Sequence, residues 1–355
     1  MAEQAPTIYD VAQRAGVSVA TVSRALNDVE SLRAVTRDKV MRAMAELDFV
    51  PNNVARGLSR GKNWVIGLAF MHSPVRANEA EVEADSLLYT DIIIRGVEAE
   101  AARHGYSLLL CSAGEEHPDG IAPLRNLTQS VDGWIVLDRV LSGEEVPEIS
   151  RRTPLVLMAG AGQSDAAFTV RVDNEGGISA LVSHLVDEHG ARRLGFMSGL
   201  EESPDNVARL RTLRDSARRL GATVDDDDVI ACDWTSGGAE VQTATWLDRR
   251  LDLPDVLVCA NDQMAIGAIH AMNSRGLKVP RDIAVTGFDD IPIARYLTPS
   301  LTTVRQSSSA MGAEAVTVLL AAMAGEPVAN TTTMPSRLLV RNSCGCRHQS
   351  SEDVA

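Results

Sequence analysis

Five side chains between residues 19 and 27 have the types and the spacing needed to read the edges of DNA bases. Val19, Ala20, Ser23, Arg24 and Asn27 fall on the outward face of one predicted helix. An arginine can donate two hydrogen bonds to one guanine, and short apolar side chains can contact thymine methyl groups. The pattern therefore predicts a helix that presents this face to a DNA groove.

A second set of side chains is suited to binding a small molecule. Asn261 and Asp289 each follow a predicted strand, which places them at the carboxyl end of a sheet, where ligands bind in open α/β folds. Trp234 offers a flat face for a ring, and the guanidinium of Arg211 can donate to hydroxyls or a carboxylate. The spacing equally allows Asn261 and Asp289 to cap the helices that follow, and Trp234 to lie in the core.

The face at residues 19–27 needs a compact scaffold, and its surroundings predict one. Thr7 can cap a first helix, Gly16 tolerates the left-handed backbone of a tight turn, and Ser18 can cap the second helix. An amphipathic stretch at residues 36–47 can close a small three-helix core. A helix-turn-helix is the favoured interpretation, and an ordinary helical hairpin is the alternative.

A short basic stretch at residues 49–62 is too small to have its own core. Pro51 favours a helix start there, whereas Gly57 weakens a helix that stands alone. Leu58 is an apolar residue among arginines, which suits a wedge inserted at a minor-groove base step. A flexible linker is the alternative for this stretch.

Four motifs, in order, resemble the lac repressor family of transcription regulators over nearly the whole chain. They are YDVAQRAGVSVATVSRALN, PNNVARGL, ANDQMAIGAI and VTGFDDIPIARYLTPSLTTVRQ. The resemblance implies double-stranded DNA with a near-palindromic operator as one partner, a second copy of the chain as another, and a small-molecule effector. In that family the default effector is a sugar or sugar derivative. A cytosolic sugar-binding or sugar-processing protein with an incidental basic N-terminus is the alternative.

The resemblance also implies particular contact residues. The expected DNA-binding residues are Thr7, Ser18, Val19, Ala20, Thr21, Ser23, Arg24, Asn27, Asn52, Ala55, Arg56 and Leu58. The expected effector-binding residues are Tyr89, Arg211, Trp234, Asn261, Asp289 and Gln306. The first lobe departs from the family pattern, since no acid follows the predicted strand 155–158 and a polar, acidic insert occupies residues 76–85.

From Trp64 onward, strands and helices alternate, as in a parallel α/β fold. The expected fold class is an N-terminal all-α helix-turn-helix head with a periplasmic-binding-protein-like α/β body of two parallel-sheet lobes. The resemblance implies three crossings between the lobes. The expected segments are a head at 1–48, a hinge helix or linker at 49–63, a first lobe at 64–166 with 300–324, a second lobe at 167–299 with 325–343, and a polar tail at 344–355.

Charge is polarised along the chain. The whole sequence of 355 residues has a net charge of −14. Residues 1–62 hold nine lysines and arginines against seven acids, which leaves 25 against 41 for the rest. An acidic body repels DNA, so binding should be confined to the head and sensitive to salt.

Catalytic and cofactor motifs fail on inspection. Residues 160–165 begin like a dinucleotide fingerprint but lack its third glycine, and residues 57–63 lack the Ser or Thr of a phosphate loop. Residues 162–166 match a nucleophile elbow only loosely. No enzyme, no catalytic residue and no cofactor are therefore expected.

The cysteines and the hydropathy pattern complete the expectations. Five cysteines are too scattered for a disulfide framework or a CxxC zinc pair, and Cys344 with Cys346 is the only close couple, so reduced thiols and no metal are expected. No apolar run has membrane-spanning length, and the N-terminus lacks a leader pattern. These features predict a cytoplasmic, nucleoid-associated protein with no membrane partner.

Overall fold

The computed structural model describes residues 6–27, 32–49, 62–71, 88–114, 117–137, 139–158, 166–249 and 252–346. The chain divides into two compact units, Met1–Trp64 and Val65–Ala355. The first unit is called the head below, and the second is called the body.

The head contains three helices around one small apolar core. They are α1 (Ile8–Ala15), α2 (Val19–Asn27) and α3 (Ala34–Glu46). One valine from each helix is fully buried in a single apolar cluster: Val11, Val22 and Val40. Because each helix is too short to be stable alone, this shared apolar contact holds the three together.

The predicted turn between α1 and α2 is confirmed. Gly16 has φ +65° and donates its N–H to the carbonyls of Ala12 and Gln13, which ends α1 in a left-handed cap. Thr7 and Asp10 form a reciprocal capping box at the start of α1. Ser18 accepts a hydrogen bond from the N–H of Thr21 at 3.2 Å, as expected for a cap of α2.

The first sheet of the body is parallel throughout, and it defines the first lobe. Its strands are β1 (Val65–Met71), β2 (Ser107–Ala113), β3 (Gly133–Val136), β4 (Leu155–Met158), β5 (Phe168–Val172) and β11 (Thr331–Met334). Their spatial order is β11-β5-β4-β3-β1-β2. Its described helices are α4 (Leu88–Arg103), α5 (Ala122–Leu127), α6 (Val146–Ser150) and α11 (Ser308–Ala324).

The second sheet defines the second lobe, with strands β6 (Leu194–Ser198), β7 (Val229–Ala231), β8 (Val256–Cys259), β9 (Ala284–Asp289), β10 (Thr302–Gln306) and β12 (Ser336–Leu339). Their spatial order is β12-β10-β9-β8-β6-β7; β12 is antiparallel to β10, and the other described pairs are parallel. The helices are α7 (Asn174–Asp187), α8 (Pro204–Arg219), α9 (Ser236–Arg249) and α10 (Asp262–Ser274).

Central strands of both sheets are apolar on both faces. Strands β3, β4 and β8 are buried at every position, because helices cover both sides of a parallel sheet. Two glycines let α4 and α11 approach closely. A Cβ on Gly96 would lie 2.0 Å from the carbonyl oxygen of Ser309, and one on Gly312 would lie 2.6 Å from that of Ile93.

The chain crosses between the lobes three times within the described body, as expected, but the expected segment boundaries are wrong. Residues 168–172 were expected in the second lobe, yet they pair with β4 in the first sheet. Residues 302–306 were expected in the first lobe, yet they pair with β9 in the second sheet. The crossings therefore lie at Asp173, at Ser307 and at Pro335.

The segment 325–343 also divides between the lobes. Residues 331–334 pair with β5 in the first sheet, whereas 336–339 pair with β10 in the second. The reason is that a strand's own alternation shows which face is buried but not which sheet supplies its hydrogen-bonding partner.

Within the described parts of the chain, no helix is both long and apolar enough to cross a membrane.

Candidate functional site

A buried arginine organises the carboxyl edge of the second sheet. Arg209, on α8, is only 3% exposed. Its Nε donates to Oδ1 of Asn174 at 2.8 Å, and its Nη1 donates to the carbonyl of Ala260 at 2.6 Å. The side chain therefore joins the start of α7 to the end of β8, and its guanidinium has a fixed orientation.

Two aromatic rings flank this guanidinium. Cζ of Arg209 lies 3.7 Å from the ring centroid of Phe288 and 5.9 Å from that of Trp234. A Cβ on Gly199 would lie 2.3 Å from the Trp234 ring, so the indole rests directly on the backbone at the end of β6. Trp234 is half-buried, with φ +72°, and it thus presents a flat face at this edge.

Asp289 and Gln306 form a buried polar pair at the ends of β9 and β10. Nε2 of Gln306 donates a hydrogen bond to Oδ1 of Asp289. Oε1 of Gln306 is buried, and no partner for it is found among the described residues. A buried acceptor without a donor is costly, so this atom is suited to receive a hydrogen bond from a bound molecule.

Burial raises the pKa of Asp289 to about 7, although the charge of Arg209 and the hydrogen bond from Gln306 both oppose that rise. A carboxyl group with this pKa can accept a hydrogen bond as a carboxylate or donate one as an acid near neutral pH. Residues of both lobes line a cavity of about 490 Å³, among them Asp289 and Gln306 of the second lobe and Ile92 and Gly96 of α4. This cavity therefore involves both lobes.

Asn261 serves as a helix cap. Its Oδ1 accepts the N–H of Met264 at 2.8 Å, and its Nδ2 donates to the carbonyl of Trp234 at 3.0 Å. The capping alternative from the sequence is thus confirmed for Asn261. The same side chain also fixes the segment that carries the indole.

Arg211 does not join this site. Its side chain is 62% exposed and forms an ion pair with Glu175. Two positions along an α-helix turn a side chain about 200° around the axis, so Arg209 faces the strand ends and Arg211 faces solvent. Arg209 was not selected from the sequence, although its spacing of four residues from the buried Leu213 was a signal that it faces inward.

The first lobe contributes less to the described site. Tyr89 lies half-buried in the first turn of α4, on the first lobe, whereas the other expected effector residues lie on the second. The acidic insert at 76–85 lies outside the described residues. So do the expected DNA-binding residues Asn52, Ala55, Arg56 and Leu58.

The head presents part of the expected DNA-reading face. Ala20 and Arg24 are exposed on α2, and Nε of Arg24 lies 3.5 Å from the carbonyl of Ala20. Val19 was expected to point outward, but it packs partly against the core of the head, because it begins α2 beside the tight turn. Tyr9, which the sequence analysis did not select, is 70% exposed on α1.

Polar residues accompany this face. Oγ of Ser18 and Oγ1 of Thr21 lie 2.9 Å apart, and Thr7 occupies the capping box of α1. Ser23 is half-buried on α2, and Asn27 ends the helix. Hydroxyl and backbone N–H groups of this kind contact phosphates in DNA complexes.

A helix-turn-helix head combined with a two-lobe α/β body defines a class of regulatory protein. Residues 7–52 match the family described as bacterial regulatory proteins, lacI family, and residues 182–344 match a periplasmic binding protein-like domain. The transcriptional repressor CytR of Escherichia coli K12 is 32% identical over 349 residues, which cover 96% of this chain and 97% of CytR. The chain belongs to the lacI family.

Other relatives are similar over most of their length. Catabolite control protein A of Priestia megaterium is 31% identical, with 95% of this chain and 98% of that protein covered. Among solved structures, a lac repressor dimer bound to operator and the anti-inducer ONPF matches with a TM-score of 0.80 and 28% identity, over 96% of this chain and 99% of that one. The regulator CelR in complex with cellobiose matches with a TM-score of 0.69 and 27% identity, over 95% and 99%.

Proposed function

We propose that this protein is a transcriptional repressor that binds a near-palindromic operator as a homodimer and that a sugar or sugar derivative controls its affinity for DNA. The solved lac repressor relative is a dimer on its operator, and the CelR relative holds cellobiose. One helix-turn-helix fills one half-site, so a two-fold dimer fits an operator with two-fold symmetry.

The effector site comprises Arg209, Trp234, Asp289 and Gln306 at the carboxyl edge of the second sheet. Asp289 and Oε1 of Gln306 accept hydrogen bonds from hydroxyls, and the guanidinium of Arg209 is fixed beside them. The face of Trp234 can stack on the apolar face of a sugar ring. Tyr89 is the expected contact from the first lobe.

The observation that carries this proposal is Oε1 of Gln306 beside Asp289, a buried acceptor to which no described residue donates a hydrogen bond. Both side chains are at least 90% buried and they meet at the ends of adjacent parallel strands. An effector hydroxyl that donates to Oε1 satisfies an acceptor that the described part of the chain leaves without a donor. That gain is the physical reason to expect a polyhydroxyl ligand.

The DNA contacts proposed for the head centre on α2. Arg24 and Ala20 read base edges, while Thr7, Ser18, Thr21 and the exposed Tyr9 contact phosphates. Ser23, Asn27 and the residues expected at 52–58 complete the proposed set. The phosphate contacts make binding salt-dependent, and the acidic body adds no affinity for DNA.

The test begins with selection of operator DNA from random fragments by the full-length protein. Fluorescence anisotropy then measures the Kd for that operator with and without each member of a panel of sugars and glycosides. At least one member should change the Kd by about 5- to 150-fold. Asp289→Asn should abolish that change, and Asp248→Asn, at an exposed aspartate of the second lobe, should retain it.

Two results would contradict the proposal separately. Equal affinity for selected and random DNA would refute the repressor function. A strong operator preference that no sugar or glycoside alters would retain the repressor function and refute the class of effector.

A further inference from the structure

Two histidines and two cysteines that the proposed function does not use converge on one point in the second lobe. His184 lies in the last turn of α7, and His189 follows the end of that helix. Cys344 and Cys346 lie in the segment after β12, which was expected to be part of a polar tail. One ligand atom from each of the four side chains lies within 4.8 Å of all the others.

Four of the six distances between the ligand atoms match those around a single tetrahedral metal ion, and all six are within 4.8 Å. The two Nε2 atoms of His184 and His189 lie 3.3 Å apart. Sγ of Cys346 is 3.3 Å from Nε2 of His189 and 3.7 Å from that of His184, and Sγ of Cys344 is 3.6 Å from Nε2 of His184. A tetrahedral zinc ion, with bonds of about 2.3 Å to sulfur and about 2.05 Å to nitrogen, sets its ligand atoms about 3.3–3.8 Å apart.

The surrounding structure holds the cysteine segment in place. Oγ of Ser343 donates to the carbonyl of Val285 at 2.6 Å and accepts the N–H of Thr302 at 2.8 Å. Sγ of Cys344 also lies 3.1 Å from Oγ1 of Thr302, and Cys344 is only 4% exposed. The thiol therefore has a fixed position that faces the end of α7.

Gly345 allows the close approach of the two cysteines to the histidines. Its φ is +108°, a backbone conformation that favours glycine, and a Cβ there would lie 3.4 Å from the ring of His189. The residue between the two thiols thus has a left-handed backbone conformation in which both thiols lie near the imidazoles.

We propose that His184, His189, Cys344 and Cys346 bind one zinc ion in a structural Cys2His2 site. Two thiolates and two imidazoles in a tetrahedral arrangement are the donor set that favours zinc over magnesium, calcium or manganese. The ion would tie the C-terminal segment to the end of α7. The five cysteines are free thiols in the structure, and this proposal departs from the expectation of no metal.

The first experiment uses the full-length protein after chelator treatment and reduction. Competition with a chromophoric zinc chelator should give one bound zinc per chain. Cobalt(II) in place of zinc should produce the intense visible bands of a tetrahedral ion and the near-ultraviolet band of cobalt–thiolate bonds. Zinc should also raise the Tm of the protein, because it binds the folded state.

Variants then assign the ligands. Cys346→Ser and His189→Gln should each weaken zinc binding by more than about 100-fold. Removing a residue that only hydrogen-bonds to a metal ligand weakens binding by about 10- to 100-fold, so a larger loss identifies a ligand. Cys232→Ser and His270→Gln, at a cysteine and a histidine elsewhere in the same lobe, should bind zinc as the unaltered protein does. Loss of the thiolate band in Cys346→Ser supports the assignment.

Three results would overturn the proposal. One is sub-stoichiometric zinc binding by the reduced, unaltered protein. Another is a cobalt spectrum that is octahedral or lacks the thiolate band. The third is a disulfide between Cys344 and Cys346 that persists under mild reduction, because its sulfurs could not both ligate a metal. The first two measurements need no variant, so a variant that fails to fold does not weaken the test.

Discussion

Replacing Arg209 by methionine removes the central cation of the proposed effector site. The change leaves Oδ1 of Asn174 and the carbonyl of Ala260 without their buried donor. Each lost charge-assisted hydrogen bond contributes about 1.5–3 kcal/mol, and the desolvated contact with Phe288 about 2 kcal/mol. Methionine carries no charge, so the variant avoids the cost of burying the guanidinium, which offsets part of these losses. We therefore expect the free energy of unfolding to fall by about 3–5 kcal/mol.

Arg211→Met is a matched control on the same helix. That substitution removes an ion pair between two side chains that are 62% and 67% exposed. Solvent screens such a pair, so the expected loss is about 0–1 kcal/mol. Urea unfolding followed by tryptophan fluorescence measures both variants, and Trp234 lies close enough to Arg209 to report the local change.

Effector binding provides the second measurement for this pair. At a temperature where both variants are folded, Arg209→Met should lose the change in operator Kd that the effector causes, whereas Arg211→Met should keep it. Equal unfolding free energies for the two variants would refute the structural reasoning. A normal effector response in folded Arg209→Met would refute the place of Arg209 in the site.

Three further predictions concern the head and one titrating group. Arg24→Ala should cost about 1–3 kcal/mol of discrimination between operator and random DNA while leaving weak, salt-dependent binding, and an unchanged ratio of the two Kd values would contradict the assignment. The pKa of Asp289 is about 7 in the folded state and about 3.9 in an unfolded chain. Between these two pH values the folded protein keeps a proton that the unfolded chain releases, so the free energy of unfolding falls as pH rises from about 4 to 7. Asp289→Asn should therefore gain stability relative to the unaltered protein between pH 5 and pH 8 in urea titrations, and a constant difference would contradict this pKa. Gly16→Ala should lower the stability of the head by about 1–2 kcal/mol, because Gly16 has φ +65° although the space around it is open. Gly143→Ala, also in open space but not at positive φ, should change stability little. Hydrogen exchange across residues 8–27 measures the effect of Gly16→Ala, and thermal unfolding measures that of Gly143→Ala.

The head could be predicted from the sequence because its determinants are local. The cap at Thr7, the left-handed Gly16 and the apolar spacing of α1 and α2 all act within one or two helical turns. The partial burial of Val19 was missed because it depends on packing among three helices. Exposure of a single residue at a helix start is a tertiary property that periodicity does not fix.

The assignment of strands to lobes depended on contacts that the sequence does not display. Residues 168–172 and 331–334 lie more than 150 positions apart and pair with each other. Each is a short stretch that would fit either sheet equally well by its own pattern. Only the hydrogen-bonding register, formed between distant parts of the chain, decides the partner.

Candidate site residues could be predicted where the end of a strand determines their position. They could not where the position depends on which side of a helix a residue faces, or on contacts between residues far apart in the sequence. Asp289 follows directly from its strand. Arg209 and Arg211 differ only in which side of α8 they occupy. The pairing of His184 with Cys344 needs the C-terminal segment to return beside α7, which no local spacing indicates.

Gln306 joins the proposed effector site to the three crossings between the lobes. It is the residue immediately before the crossing at Ser307, and it pairs with Ser336, which follows the crossing at Pro335. Oγ of Ser336 donates to the carbonyl of Asp173 at 2.7 Å, and the N–H of Asp173, at the remaining crossing, donates to Met334 at 2.8 Å. Hydrogen bonds thus join the three crossing segments side by side, so a displacement of one crossing segment also displaces the other two. An effector that engages Oε1 of Gln306 acts where any change in the angle between the lobes must be accommodated, which is a physical basis for differential affinity between two arrangements of the body.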